Sequence, residues 1–297
     1  MQYNFQLSCE STVDLPYNYV SGRDISVIFY TYAVDGEEYV DDMGRNADAL
    51  PKFFKMLEEG KAPATSQINE FRYEEYFEEL LQKGDVLHIA FGTGMTPSYK
   101  NAMHAVERLK EKYPDRKLVV IDSLCSCLGY GMLVDTVADM RDSGSTMEEI
   151  EEWVLANRNK VHHQFFSTDL TQFKRSGRVS GLSAMLGTML GICPLMHLNN
   201  EGRIIAYSKV RGKKAAIKST VEAVMEHIEN GKDYNGKFYI GQSNCRELCD
   251  ETIAEFEQYF PDAKERIKVF DIGTIISAHC GPGTVAIFFY GDERGEN

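Results

Sequence analysis

The sequence predicts an α/β protein of two domains: a parallel-sheet domain, then a second α/β domain with a mixed sheet. Three observations lead there. The chain has 297 residues, more than one ordinary domain needs. Its first half alternates short apolar runs with amphipathic stretches, the rhythm of parallel strands joined by helical crossovers. Near Val161 that rhythm gives way to a hairpin and further strands, which sets the domains at 1–158 and 159–297.

The elements follow in order. Ile25–Tyr30 reads as a strand. Tyr32–Val40 reads as a hairpin, because Asp35-Gly36 is a turn pair between strand formers. Residues 46–59 form a helix, with Pro51 near its start and Gly60 just past its end. Residues 69–82 form another, ended by Gly84. Asp85–Ala90 is a buried strand, followed by the turn Phe91-Gly92-Thr93-Gly94 and a helix over 97–112. Lys117–Asp122 is the next strand and leads through a polar turn into a helix over 126–142. Ser145-Thr146-Met147-Glu148 opens a helix to Lys160 with a capping-box pattern.

The second domain starts with the strand Val161–Ser167 and a helical region at 169–174. The segment 181–196 is apolar, small and methionine-rich, which suits ordinary core as well as the lining of an irregular apolar slot. Pro194–Leu198 and Ile204–Val210 flank Asn199-Asn200-Glu201-Gly202 as a hairpin. Helices at 213–230 and 246–260 and strands at 238–242, 267–272 and 285–290 complete the domain. A glycine-proline turn, Ser277 to Gly283, carries His279.

Composition narrows the function classes. A net charge of −13 repels nucleic acid and anionic surfaces, so an acidic ligand needs neutral donors or a local positive group. The N-terminus shows no basic region followed by an apolar run, and no stretch reaches the length of a membrane span, which points to a cytoplasmic protein that touches membranes only transiently. Seven cysteines, an odd number without an export signal, read as reduced thiols. Neither Cys125-Ser126-Cys127 nor Cys245 to Cys249 forms a matched CxxC pair, so no metal is expected.

Polar chemistry gathers in turns after the parallel strands, where open sheets bind ligands. Glu10-Ser11-Thr12-Val13-Asp14, Gly92 to Thr96 and Asp122 to Ser126 are rich in hydroxyls and small residues, and can present O–H and N–H donors to an anion. Taken singly, each also reads as a helix cap, as does Thr65-Ser66-Gln67. His279 can donate to a carboxylate or simply satisfy the backbone of its loop. The basic run Lys174-Arg175-Ser176-Gly177-Arg178, with Arg211 and its neighbours, is either a solvated face or an anion or partner contact. Gly92-Thr93-Gly94 lacks the last glycine of GxGxxG, and neither a P-loop nor a GxSxG elbow occurs.

In this order the motifs resemble the DegV family over the full chain. Glu10 to Pro16 is similar to its D-S-T-x-D-L-P, and Thr65-Ser66-Gln67 to its T-S element. Thr93 to Ala102 resembles its S-S-x-L-S-G-T-Y-x-S-A, and Val120 to Ser123, with Ser126, Gly129 and Gly131, its V-x-D-S…S-x-G-x-G. Phe173 to Ser180, Lys209 to Ala215 and His279 to Gly283 match its L-K-K-G-G-R-I-S, K-x-R-x-x-K-A and H-x-G-P-G.

The resemblance implies a long-chain fatty acid held between the domains, no cofactor and no catalysis. It also implies a separate ATP-binding kinase subunit that phosphorylates the carboxylate of the presented acid. The family's head-group residues fall on Thr65, on Thr93 or Thr96, and on His279, with Ser66, Gly94, Ser126 and Arg178 nearby. On their charge alone, Lys174, Arg175 and Arg211 are the candidates for a partner contact. The chain departs from the pattern at Glu10 for Asp, Gly92-Thr93 for a serine pair, Pro97-Ser98 for Gly-Thr and Ser176-Gly177 for Gly-Gly. The alternative reading is a hydrolase or kinase-like enzyme acting on a small carboxylate or acyl ester.

Overall fold

A computed structural model describes residues 3–180 and 191–296. The greasy segment expected at 181–196 therefore lies outside the described residues as far as 190.

The N-terminal half runs β1 (Phe5–Glu10), α1 (Tyr17–Gly22), β2 (Ile25–Ile28), β3 (Thr31–Val34), β4 (Glu37–Val40), α2 (Ala49–Glu58), β5 (Ala64–Ser66), α3 (Glu70–Leu81), β6 (Asp85–Ala90), α4 (Ser98–Lys112), β7 (Leu118–Asp122), α5 (Cys127–Asp142) and α6 (Met147–Asn157). The first strand, β1, is central in a parallel sheet of order β2-β1-β6-β7. Its carboxyl edge therefore carries the three polar turns together. The expected hairpin forms as β3–β4, and β5 joins it to make a small antiparallel sheet in which Tyr32 faces Thr65. Thr65-Ser66 thus lies on a strand, and the cap of the following helix is Asn69. The capping box also moves by one residue: Thr146 accepts from the Glu149 N–H, and the Glu149 side chain returns the bond.

The C-terminal half runs β8 (Val161–Ser167), α7 (Thr171–Ser176), β9 (Val179–Ser180), β10 (Ile192–Leu198), β11 (Ile204–Arg211), α8 (Lys213–His227), β12 (Phe238–Ser243), α9 (Arg246–Tyr259), β13 (Ile267–Asp271), α10 (Thr274–Cys280) and β14 (Thr284–Tyr290). The strands form one mixed sheet of order β13-β12-β14-β8-β10-β11-β9. Side chains alternate faces along a strand. Val285, Ile287 and Phe289 on β14, with Phe166 on β8, pack into the core under α8 and α9. Ala286, Phe288 and Phe165 point the other way, into the core shared with the N-terminal half.

Helix α5 joins the halves. Nearly every residue from Cys127 to Ala138 is buried, as expected of a helix with apolar residues all round. Gly129 and Gly131 allow this. A β-carbon on Gly129 would come within 2.2 Å of His163 Nε2 on β8, and one on Gly131 within 2.4 Å of the Val13 carbonyl oxygen. Asp135 of α5 binds Arg23 at 2.6 Å from one half and receives the Tyr239 hydroxyl at 2.6 Å from the other. Burial opposes its charge, but the nearby Lys237 ammonium and these donors hold its carboxyl well below the usual range.

Candidate functional site

Between the carboxyl edge of the parallel sheet and the inner face of the mixed sheet lies a cavity of about 350 Å³. That is within the range of small-molecule sites. Its floor is apolar: Phe165, Phe173, Ala286, Phe288, Ile272 and Ile275. Several of its polar groups lie where β5, the turn after β6 and α10 meet. There Thr65, Ser66, Thr96, Arg178 and His279 line the wall, and Ser126 lines it from the start of α5.

Local structure explains the convergence. Helix α10 starts after Gly273 and ends where Gly281 takes φ +69°, its N–H bonded to Ser277 O at 2.8 Å. His279 is on the last turn of that helix, which runs to Cys280, and not in the glycine-proline turn that the sequence suggested. From there Nε2 reaches Thr65 Oγ1 at 2.9 Å, across 214 positions of sequence. Burial pushes the His279 imidazole down to about 4, and the Arg178 guanidinium adds to the effect. The ring is neutral near pH 7, so it carries one N–H. If Nε2–H donates to Thr65, the threonine O–H is left over; if Thr65 donates, the hydrogen stays on Nδ1, which is buried and unpartnered. Either way the pair keeps a donor in reserve.

Thr96 also faces the cavity, its oxygen 3.1 Å from Ser98 Oγ. Thr93 does not: its hydroxyl donates to Asp122 Oδ2 at 2.5 Å and its N–H to Asp122 Oδ1, so the carboxylate at the end of β7 has captured it. Gly94 is likewise outside the lining. It packs on the β10–β11 turn, where a β-carbon would meet Gly202 O at 2.2 Å. Lys174 and Arg175 are exposed on α7, near Arg178. Arg211 stands apart from them. Val179 pairs with Ile204, and Arg211 lies seven residues farther along β11, a span of about 23 Å at the usual strand rise. These residues do not form one patch.

Sequence reasoning missed the cavity floor. Its signal was the alternation within β8 and β14, hidden because both faces of these strands are buried. It also missed His163, which donates from Nδ1 to Val161 O at 3.0 Å and accepts the Ser126 N–H on Nε2 at 3.2 Å, fixing the start of α5 on the cavity wall.

Two other sites differ in chemistry. A second cavity of about 880 Å³ carries Asp14, Asp41, Asp42, Glu58 and Asp271 on its wall together with Lys55 and Arg246. His162, His227 and Asp292 place possible metal ligands within 4.8 Å of one another. His162 Nε2 and His227 Nδ1 both lie against Asp292 Oδ1, at 3.0 and 3.1 Å, from stacked rings 5.0 Å apart and 19° from parallel, so the carboxylate already occupies both ring nitrogens.

The family model described as "Uncharacterised protein, DegV family" matches residues 4–292. The chain belongs to the DegV family. A DegV domain-containing protein of Clostridium perfringens is 35% identical over 292 residues, covering 98% of both chains. Among solved structures, a DegV family protein from Eubacterium eligens loaded with heptadecanoic acid is 21% identical with a TM-score of 0.82, covering 97% of this chain and 100% of that one. A stearic acid-binding protein from Eubacterium ventriosum is 21% identical with a TM-score of 0.85, covering 96% and 97%. These likenesses show a shared DegV fold. No helix among the described residues is long and apolar enough to cross a membrane.

Proposed function

We propose that this DegV chain binds a long-chain fatty acid between a domain of residues 1–158 and one of residues 159–297. Thr65, Thr96 and His279 hold the carboxylate, and Arg178 supplies positive charge at the rim. The chain then presents the acid, in the cytoplasm, to a separate ATP-dependent kinase subunit that forms the acyl phosphate. The observation that carries the reading is the Thr65–His279 contact of 2.9 Å on the wall of a mostly apolar cavity. Neutral donors suit a protein of net charge −13, because they meet a carboxylate without a buried cation. Each methylene buried is worth about 0.8 kcal/mol, so ~15 of them contribute on the order of 12 kcal/mol before entropic costs. The relatives' bound heptadecanoic and stearic acids are of the same class.

The site is built for holding rather than turnover. A nucleophile–base pair needs a third group to orient the base, and among the described residues His279 Nδ1 has no partner. The test is mass spectrometry of gently purified protein under native conditions. A mass increment of one C14–C18 acid, exchangeable and accompanied by a higher Tm on adding fatty acid, supports the reading. Protein that is empty and gains no stability from fatty acid contradicts it, and release of product from acyl esters by the isolated chain would favour the enzyme instead.

A further inference from the structure

We infer that Asp41 is a positioning residue for the head-group site: from the N-terminal half it anchors the start of helix α10 and so sets the place of His279. This rests on the fatty-acid reading and names what holds one of its carboxylate ligands.

Helix α10 has only seven residues, Thr274–Cys280. A helix that short does not hold its shape alone in water, so what grips its ends decides where it lies. Gly273 stands at its N-cap and has no side chain to serve the first turn. The grip comes from the other half of the molecule. Thr274 Oγ1 donates to Asp41 Oδ1 at 2.8 Å, across 233 positions of sequence, and the Thr274 N–H faces the same carboxylate. Asp41 and Thr274 are both buried, so water does not replace the bond. The glycine permits so close an approach: a β-carbon on Gly273 would stand 2.6 Å from Asp14 Oδ1 and 3.5 Å from Asp41 Oδ1.

The far end of α10 is held by the same small sheet. There His279 Nε2 meets Thr65 Oγ1 at 2.9 Å. Thr65 lies on β5 and Asp41 directly follows β4, the outer strands of the order β4-β3-β5. Both strands end beside Thr31, which pairs with Val40 on one side and Ser66 on the other. Two strand spacings separate them, about 9.5 Å. From Thr274 to His279 the helix rises roughly 7.5 Å. Helix α10 therefore lies across the end of the sheet and is pinned to it twice. With the Asp41 pin gone, the helix is free to tilt, and a retreat of His279 by a few tenths of an ångström takes its contact with Thr65 out of hydrogen-bond range. Asp41 lines the second cavity and not the first, so it acts on the ligand only through α10.

The experiment measures Kd for hexadecanoic acid in wild type, Asp41→Ala, Asp41→Asn and Gly273→Ala, each also combined with His279→Ala. Asp41→Ala should weaken binding about tenfold when His279 is present, the value of one lost hydrogen bond, and less than about twofold when His279 is already alanine. Asp41→Asn keeps an oxygen for the Thr274 O–H and should recover most of the loss. Gly273→Ala pushes α10 off the carboxylates from the other side and should repeat the Asp41→Ala pattern, which keeps the test open if that variant folds poorly. Equal weakening with and without His279 would mean that Asp41 only supports the fold, and an unchanged Kd in Asp41→Ala would mean that α10 is held without it. Both results overturn the inference. If His279→Ala alone leaves Kd unchanged, the carboxylate reading falls and takes the inference with it.

Discussion

If the cavity holds an alkyl tail, filling part of it should shorten the tail it accepts. Ala286 is the place to do so. Its side chain points from β14 into the cavity, is 4% exposed, and has Phe165 and Phe288 beside it. Leucine adds three carbons there and displaces about three methylenes of ligand, a loss of roughly 2.4 kcal/mol, or about 50-fold in Kd. The loss should vanish for an acid three carbons shorter. Calorimetric titration of Ala286→Leu with a series of saturated acids reads this directly. The ligand-free variant should keep its Tm, because the leucine enters free volume. In a filled core the same change costs about 1–3 kcal/mol through overpacking. Ile287→Val, on the other face of the same strand, serves as control: it should cost about 0.5–1.5 kcal/mol of stability without altering chain-length preference. A uniform loss across the series, or a large drop in ligand-free Tm, would refute the claim that this volume is tail room.

Three further outcomes are expected. Thr65→Val should weaken fatty-acid binding by about 1.5–3 kcal/mol, the value of a hydrogen bond to a charged group, whereas Thr93→Val should leave Kd unchanged because Asp122 already holds that hydroxyl; equal effects in titrations would contradict the assignment. Gly129→Ala should lose about 2 kcal/mol or more in urea unfolding, since its β-carbon would meet His163 Nε2 at 2.2 Å; a neutral result would show that β8 shifts freely. Burial raises Asp41 from 3.8 to about 6, aided by Asp42 and opposed by hydrogen bonds from Ser11 and Thr274. A carboxyl raised on folding contributes stability below its unfolded value and loses it as pH rises through its folded one, so wild type should lose up to about 3 kcal/mol relative to Asp41→Asn between pH 4 and pH 6. A difference that does not vary with pH would rule out the strained carboxylate.

The sequence made the strand-turn-helix order readable because its signals are local. Asp35-Gly36 sits between β-formers, and Gly60 and Gly84 follow amphipathic runs. Sheet order is non-local and was not readable: nothing near Ala64 announces that it will add a third strand beside Tyr32. At the site, Thr65 and His279 could be singled out by motif, but their contact spans two sheets and one helix. Thr93 and Thr96 were indistinguishable in sequence. What separates them is Asp122, whose carboxylate at the end of β7 lies within reach of one hydroxyl and not the other. The cavity floor escaped notice because β8 and β14 are buried on both faces, so polarity does not alternate along them.

The most direct test is a crystal structure with 16-bromohexadecanoic acid, in which anomalous scattering marks the tail and density marks the head. The expected result is bromine within the cavity formed by Phe165, Ala286 and Phe288, with the carboxylate at hydrogen-bond distance from Thr65 and His279. A carboxylate bound elsewhere, or bromine in the aspartate-lined second cavity, would contradict the account.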